Sequence, residues 1–423
     1  MMTRTRTFLL AALAFALLCL PLLMSTGGGY TYDEESYHIP AIRQIRSHWP
    51  KLDVDRDSLS ATAPGYHYFL ATLSLVIGSG RLSLRLANWA VGLVLLWVLW
   101  LRFDGKSRWL PWAAVLPLMT SNFFVKSASW VVTDNAALLG MTLVLVGALA
   151  MDDAIPVWAQ GGVAAATTFV RQLYVWLAVP VALQFVRGAG RSRLWALTFL
   201  MPLGVVVFLY LQWGGIVPKI WRDASIQGGG VTNGFAAIAY ILAVYLLLGV
   251  SFYVAGSREG AWTLDLRSRW TAIGAAVGLL AAVASPTDFN YSAGRWGGYL
   301  WGVIEAVPAP LHRSLFLFVV SPLGGALLGA MAARLLRTQG QGRALTWIVS
   351  YCAWAVTFFP NRQVFQRYYE PATLIFLILW LALEAEGATP LRLGRTTWLL
   401  AILAVVQLSI TFIFAYGRTF GAG

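Results

Sequence analysis

The sequence has little charge, few histidines and almost no cysteine. Of its 423 residues, 12% are charged, four are His and two are Cys, whereas soluble domains carry about 25% charged residues. Cys19 and Cys352 both lie inside apolar runs, so neither a metal cluster nor a structural disulfide is expected. The sequence also lacks H-x-x-x-H, C-x-x-C and H-E-x-x-H metal motifs, a phosphate-binding P-loop and a dinucleotide fingerprint. These absences disfavour ATP-driven pumps and enzymes of soluble nucleotides.

Apolar residues make up 58% of the chain, and long apolar stretches recur from one end to the other. One soluble core cannot bury that much apolar surface, so the sequence predicts an all-α polytopic membrane protein. The net charge is +13, which in a soluble protein would suggest a nucleic-acid partner. Here the basic residues lie in short clusters between apolar runs, so membrane lipids are expected as partners and nucleic acid is not.

A helix that crosses a bilayer needs about 20 apolar residues, with a lower limit near 17. By this criterion we predict a bundle of about 13 (12–14) transmembrane helices. The first apolar run resembles a signal peptide, but no clear A-x-A cleavage site follows it, so we interpret it as a retained span. The predicted spans lie near 8–25, 82–101, 109–125, 130–150, 157–170, 173–187, 194–212, 235–255, 270–285, 314–333, 345–359, 371–385 and 396–416.

Six basic clusters set the predicted topology. With these spans all six fall on one side, which the positive-inside rule identifies as the cytoplasm, together with the N-terminus. The segment Gly65–Gly80 does not fit as a full crossing. We interpret it as a juxtamembrane or half-inserted helix, or as part of a long broken second span. The clusters are Arg4/Arg6, Arg102/Lys106/Arg108, Arg187/Arg191/Arg193, Arg258/Arg267/Arg269, Arg334/Arg337/Arg343 and Arg392/Arg395.

The first outer loop begins with the acidic stretch "YTYDEESYHIP", which contains Asp33, Glu34, Glu35 and His38. A carboxylate at the membrane surface can take a proton from an incoming hydroxyl. If the stretch is α-helical, Glu34 and His38 share one face, and the imidazole can orient a carboxylate or contact substrate. The alternative is a solvated acidic helix start, which the helix dipole favours.

Further candidate side chains lie in the other outer loops. Asp134, in "VVTDNAA", suits a binding site or, with Thr133, a helix N-cap. Arg171 offers a fork of donors that fits phosphate oxygens, although a snorkelling interfacial arginine would look the same. "KSASWVVTDNAA", Lys126–Ala137, is predicted to be an outer loop. The other candidates for substrate binding are His67, Gln172, Arg295, Arg367 and Tyr368.

Six motifs occur in an order that resembles the GT-C glycosyltransferases, and most closely the dolichyl-phosphate-glucose alpha-1,2-glucosyltransferase family of N-glycan precursor assembly. The acidic stretch departs from the family by one extra residue before His38. That offset leaves the counterpart of the family carboxylate open among Asp33, Glu34 and Glu35. The family's proline pair is also reduced to Pro64. The motifs are "DEESYHIP", "ATAPGYHY", "VVTD", "FVRQLYVW", "QWGGIV" and "RYYEP".

The resemblance implies a single GT-C-type integral membrane domain over 1–423 with a long first extracytoplasmic loop. Residues 27–80 would form that loop and a juxtamembrane segment, 82–212 the core helices with the acidic and Arg motifs, and 213–423 variable C-terminal helices. The Ala-, Gly- and Arg-rich composition favours a prokaryotic plasma membrane, and the predicted topology puts the active site on its extracytoplasmic side.

The same resemblance implies the reaction. A sugar would pass from a polyprenyl-phosphate donor to a hydroxyl of a glycan, lipid or protein acceptor, with inversion at the anomeric carbon. A first-loop carboxylate would be the base, and Arg171, Arg295 or Arg367 would hold the phosphate. No cofactor is firmly predicted; some relatives in the superfamily use a divalent metal, and this mechanism does not require one. The alternative is a lipid or solute transporter or flippase, which predicts charges at mid-membrane depth and an inverted repeat.

Overall fold

In a computed structural model the chain is helical, with no β-strand among the residues that the structure describes. Those residues are 4–26, 31–57, 59–103, 109–150, 155–187, 197–222, 230–257, 267–288, 297–360, 364–386 and 397–420. The principal helices are α1 Arg4–Met24, α2 Ile39–Ser47, α3 Gly65–Ile77, α4 Arg81–Leu101, α5 Leu110–Met119, α6 Asn122–Ser129, α7 Asp134–Leu149, α8 Val157–Val170, α9 Ala178–Arg187, α10 Leu200–Trp213, α11 Gly230–Gly256, α12 Arg269–Ala284, α13 Tyr299–Glu305, α14 Leu315–Thr338, α15 Gly340–Val356, α16 Gln366–Glu386 and α17 Trp398–Thr411.

The chain divides into two compact units. Unit 1 comprises Met1–Asp104, Val115–Asp223 and Ala404–Gly423. Unit 2 comprises Gly105–Ala114 and Ala224–Leu403. Most of the predicted site residues fall in unit 1, and the "RYYEP" motif falls in unit 2.

Six described helices are long and apolar enough to cross a membrane. Their outward faces carry large apolar side chains: on α1, for example, Leu9, Leu13 and Leu17 are all exposed. Apolar faces of this size suit contact with lipid and would be a liability in water. The protein is therefore an integral membrane protein. The candidate spans are Thr5–Met24, Arg81–Leu101, Gly234–Gly256, Pro310–Thr338, Gln366–Glu386 and Trp398–Tyr416.

Each predicted span overlaps a helix of the structure, but several of these helices are short or broken. α6 and α7 together are long and apolar enough to form one membrane span, but the chain bends by 112° at the break between them. The segment 65–80 contains α3, whose 13 residues are too few to cross alone. Counting the bent pair as one span gives up to seven candidates. The larger count of about 13 stays a prediction, because it requires the shorter helices to cross the membrane as well.

The segment Lys126–Ala137, predicted to be an outer loop, is helical at both ends in the structure. Its first residues complete α6, which starts where the Ser121 side chain accepts a hydrogen bond from the Phe124 backbone N–H over 3.4 Å. Lys126 is buried, and its ammonium group donates to the Phe414 carbonyl over 3.0 Å. The burial of Lys126 and its hydrogen bond to Phe414 show that this segment packs within unit 1.

Glycines let three helices of unit 2 pack with their backbones in contact. A Cβ atom added at Gly274 of α12 would overlap the carbonyl oxygen of Gly325 in α14. Gly329 of α14 approaches the Trp270 carbonyl in the same way, and Gly324 approaches that of Leu242 in α11. Small residues spaced four apart are the usual means of close helix packing in membranes. α16 is almost completely buried in this unit.

Candidate functional site

A π-helical turn carries the acidic stretch. The turn runs from Glu34 to His38 and continues into α2. Residues five apart meet across it, and the Tyr37 hydroxyl donates to the Tyr32 hydroxyl over 3.4 Å. Glu34 and His38 are both buried in the turn, whereas Asp33, just before it, is half-buried. Single π turns of this kind are common at functional sites.

Glu34 forms a fully buried ion pair with Arg85. The Arg85 Nε and Nη2 atoms donate to the two carboxylate oxygens over 2.8 and 2.6 Å. The backbone N–H of Val131 donates to Glu34 Oε1 over 3.3 Å. Glu34 has no exposed surface, so an incoming hydroxyl cannot reach it in this arrangement.

Arg85 also closes the C-terminal end of α1. Its Nη1 atom donates to the carbonyls of Leu22, Leu23 and Ser25, over 3.3, 2.8 and 2.7 Å respectively. The last carbonyls of a helix lack intrahelical partners and carry partial negative charge, so a buried cation is favourable there. One guanidinium therefore fixes the acidic turn to the first span.

Arg85 belongs to a polar stripe on α4 that sequence reasoning missed. Arg81, Arg85 and Asn88 follow one another at spacings of four and three, which places them on one face of an otherwise apolar helix. Arg81 pairs with Glu35 over 2.5 Å, and both side chains are partly exposed. The spacing of Arg81 and Arg85 could have revealed this stripe in the sequence, because two arginines at the start of an apolar span require anionic partners.

Asn88, the third residue of the stripe, holds the break between α6 and α7. Its side-chain amide donates to the carbonyls of Ser127 and Trp130 over 2.5 and 2.6 Å. Its own oxygen accepts from the Tyr66 hydroxyl over 2.5 Å. Asn88 therefore satisfies the carbonyls that the break leaves open, and it links them to α3.

His38 and His67 form a buried pair next to the acidic turn. Their Nδ1 and Nε2 atoms lie 2.8 Å apart, and their rings stack with centroids separated by 5.1 Å. One of the two nitrogens must donate and the other accept, so the two rings cannot both be fully protonated in this arrangement. Burial, followed by the proximity of His38, lowers the pKa of His67 well below its usual range.

Asp134 and Arg171 form an ion pair near the surface of unit 1. Arg171 Nη1 donates to Asp134 Oδ1, and both side chains are largely buried. Thr133 occupies the N-cap position of α7 but makes no capping hydrogen bond with its side chain. The Asp134 carboxylate therefore orients an arginine, which the N-cap interpretation did not predict.

Gln172 joins three segments of unit 1. Its amide nitrogen donates to the carbonyls of Ala61 and Ile216 over 2.9 and 3.2 Å, and its oxygen accepts from the Ala63 N–H over 3.0 Å. Ala61 and Ala63 belong to "ATAPGYHY", and Ile216 belongs to "QWGGIV". Together with the bonds from the Val131 N–H to Glu34 and from Arg171 to Asp134, these contacts connect five of the six motifs within unit 1.

The remaining predicted residues lie elsewhere. In unit 2, Arg367 Nη2 donates to the Tyr368 hydroxyl over 3.0 Å. The next turn carries a fully buried carboxylate, Glu370, which accepts hydrogen bonds from Tyr299 and, over 2.8 Å, from Gln366. Arg295 lies outside the described residues. In the described part of the chain, no group of three or more His, Cys, Asp or Glu side chains is arranged to hold a metal ion.

No family model, curated protein or solved structure matches this chain. The resemblance to the GT-C glycosyltransferases therefore rests on the order of the motifs.

Proposed function

We propose that this protein is a membrane glycosyltransferase that uses a polyprenyl-phosphate sugar as donor. The observation that supports the proposal most directly is the convergence of five of its six motifs in unit 1. They are far apart in the chain, yet hydrogen bonds involving Glu34, Arg171 and Gln172 connect them. A chance set of short motifs would not be expected to meet in this way.

We assign the general base to Asp33. Glu34 is fully buried and holds Arg85, so its role is to position the acidic turn. Glu35 is exposed and pairs with Arg81, which suits a residue at the entrance of the site. Asp33 is half-buried and lies directly before the π turn, so it keeps some surface that an incoming hydroxyl can reach.

The reaction balances with these groups. The acceptor oxygen forms a bond to the anomeric carbon, and the bond from that carbon to the phosphate oxygen breaks from the opposite face. The hydroxyl proton passes to Asp33, and polyprenyl phosphate leaves with one additional negative charge. Arg171, oriented by Asp134, would stabilise that charge. Because the leaving group departs as an anion, no acid is needed to protonate it.

The proposal includes about 13 transmembrane helices, a prokaryotic plasma membrane and a site on the extracytoplasmic side, with the topology set by the positive-inside rule. Purified full-length protein in nanodiscs, incubated with a panel of polyprenyl-phosphate sugars and glycan, lipid or protein acceptors, tests the function. Release of polyprenyl phosphate together with a glycosylated acceptor is the expected result. Failure to release it from any donor on the panel would count against the proposal.

One observation favours the second candidate, a lipid or solute transporter. α6 and α7 form a broken helix with a bend of 112°, and broken helices build binding sites in many transporters. The break here is filled by Asn88 and by Glu34 rather than left open, so we rank transport second. Uptake into proteoliposomes that depends on an ion gradient, without any glycosyl transfer, would favour it instead.

A further inference from the structure

A short turn of unit 2, between α13 and α14, presents a leucine outward. Leu311 is 89% exposed, the largest value for any large apolar side chain in the described part of the chain. It lies in the segment 308–312, which we call the apolar turn. Pro308 and Pro310 are also exposed there, and no residue of the turn before His312 is charged. The proposed reaction does not use this turn.

The backbone of the apolar turn has an unusual conformation at two consecutive residues. Leu311 and His312 have φ angles of 53° and 60°, in the left-handed region. Bulky side chains rarely adopt this region, because the Cβ atom lies too close to the following carbonyl oxygen. Strain of this kind persists only where the surrounding contacts impose it, and it is often kept for a function.

The contacts that impose this conformation join the turn to the end of α12. The His312 Nδ1 atom lies 2.9 Å from Asp288 Oδ2. The backbone N–H of Thr287 donates to the His312 carbonyl over 2.8 Å. The Arg313 Nε atom donates to the carbonyl of Val283, in the last turn of α12, over 2.8 Å. The apolar turn is therefore held at the level where α12 ends.

The turn continues an apolar surface that belongs to the neighbouring spans. Val283 of α12 and Leu315 and Phe318 of α14 are each between 44% and 47% exposed. The apolar stretch that is long enough to cross a membrane begins at Pro310, inside the turn and before α14 itself begins. Exposed apolar faces of membrane spans contact lipid. A turn that extends these faces therefore suits lipid better than water.

We propose that the apolar turn inserts Leu311 into the nearer membrane leaflet, at the boundary between the headgroups and the acyl chains. Apolar side chains of interfacial segments are buried about 5–10 Å into this boundary. The exposed ring of His312 has an apolar body and a polar tip, which suits the level of the headgroups. The predicted topology makes this the extracytoplasmic leaflet. The contact fixes the depth of this end of unit 2, and it is independent of the proposed reaction.

The test places a nitroxide spin label at Leu311→Cys in the full-length protein, with Cys19 and Cys352 replaced by Ala. The protein is reconstituted into vesicles of phosphatidylcholine and phosphatidylglycerol. Electron paramagnetic resonance then measures collisions of the label with O₂, which concentrates in lipid, and with a charged nickel chelate, which stays in water. The lipid control is Val319→Cys on α14, which is 57% exposed. The water control is Asp55→Cys, at an exposed acidic residue.

The ratio of O₂ to nickel collisions at Leu311 is expected to be severalfold higher than at Asp55. The ratio at Val319 should be higher still, because that residue lies two turns further into the span. A ratio at Leu311 equal to that at Asp55 would place the turn in water and overturn the proposal. Few collisions with either reagent would show that protein, from a partner or a second copy, covers Leu311, and would overturn it as well.

Discussion

Arg85 on α4 and Glu34 in the π turn form a two-bond ion pair with almost no exposed surface. The pair connects the acidic turn with α4, and Arg85 also binds carbonyls at the end of α1. The acidic stretch therefore has one carboxylate buried in this ion pair, whereas Asp33 and Glu35 keep some exposed surface.

Loss of the Glu34 charge should destabilise the protein strongly. Glu34→Gln keeps the shape of the side chain but leaves the Arg85 charge buried without its counterion, which costs about 3–5 kcal/mol. Glu35→Gln is the control, because its exposed pair with Arg81 contributes at most about 1 kcal/mol. Thermal unfolding of both variants in detergent is the measurement. Equal unfolding temperatures would contradict the structural role of Glu34.

Gln172→Ala should release the segment around Ala63. The variant loses three hydrogen bonds to backbone groups, each contributing about 0.5–1.5 kcal/mol. Hydrogen–deuterium exchange at the Ala63 amide, which donates directly to Gln172, should become faster. Gln44→Ala removes a single bond to the Arg56 carbonyl and should leave this amide protected. Unchanged exchange at Ala63 in the Gln172 variant would show that other contacts hold the loop.

Stability should depend on pH through His67. Its folded pKa lies below the ordinary value of 6.5, so the unfolded chain binds more protons once the pH falls below 6.5. Stability is therefore complete above that value and is lost towards lower pH, by up to about 1.4 kcal/mol per pH unit. His67→Asn should flatten the unfolding temperature between pH 7 and 5, whereas His312→Asn, an exposed site, should retain the slope. A wild-type slope in the His67 variant would exclude this origin.

Two glycines of unit 2 should respond to alanine with opposite signs. Gly274→Ala forces a Cβ atom into the α14 backbone and should cost about 1–3 kcal/mol. Gly302 lies in the helix Tyr299–Glu305 with open space around it, so its alanine variant should gain about 0.4–1 kcal/mol. The free energy of unfolding of each variant is the quantity to compare. Similar effects at both positions would contradict the close contact of α12 and α14.

The apolar runs predicted where helices occur, because the length and composition of a run decide whether it can be helical in a membrane. The breaks could not be predicted in the same way. The bend before α7 depends on Asn88, which lies far away in the sequence and supplies partners for the open carbonyls. The partner of Arg85 is likewise 51 residues away. Contacts between residues so far apart in sequence can be identified only from the three-dimensional arrangement of the helices.

The candidate site was predicted as a set of residues, but their roles depend on burial. Three adjacent acids looked equivalent in the sequence. The π turn directs Glu34 inward to Arg85 and Glu35 outward to Arg81, and Asp33, just before the turn, is half-buried. The resemblance supplied the proposed chemistry, and the different burial of the three carboxylates supplied the proposed base.

The central claim is that Asp33 accepts the proton of the acceptor hydroxyl. The most direct test is the turnover of a polyprenyl-phosphate sugar by wild-type protein, Asp33→Asn and Glu35→Gln in nanodiscs. The account predicts that Asp33→Asn lowers kcat by about a hundredfold or more, because general-base catalysis contributes factors of this size, while Glu35→Gln stays near the wild-type rate. A folded Asp33→Asn protein that turns over at the wild-type rate would contradict it.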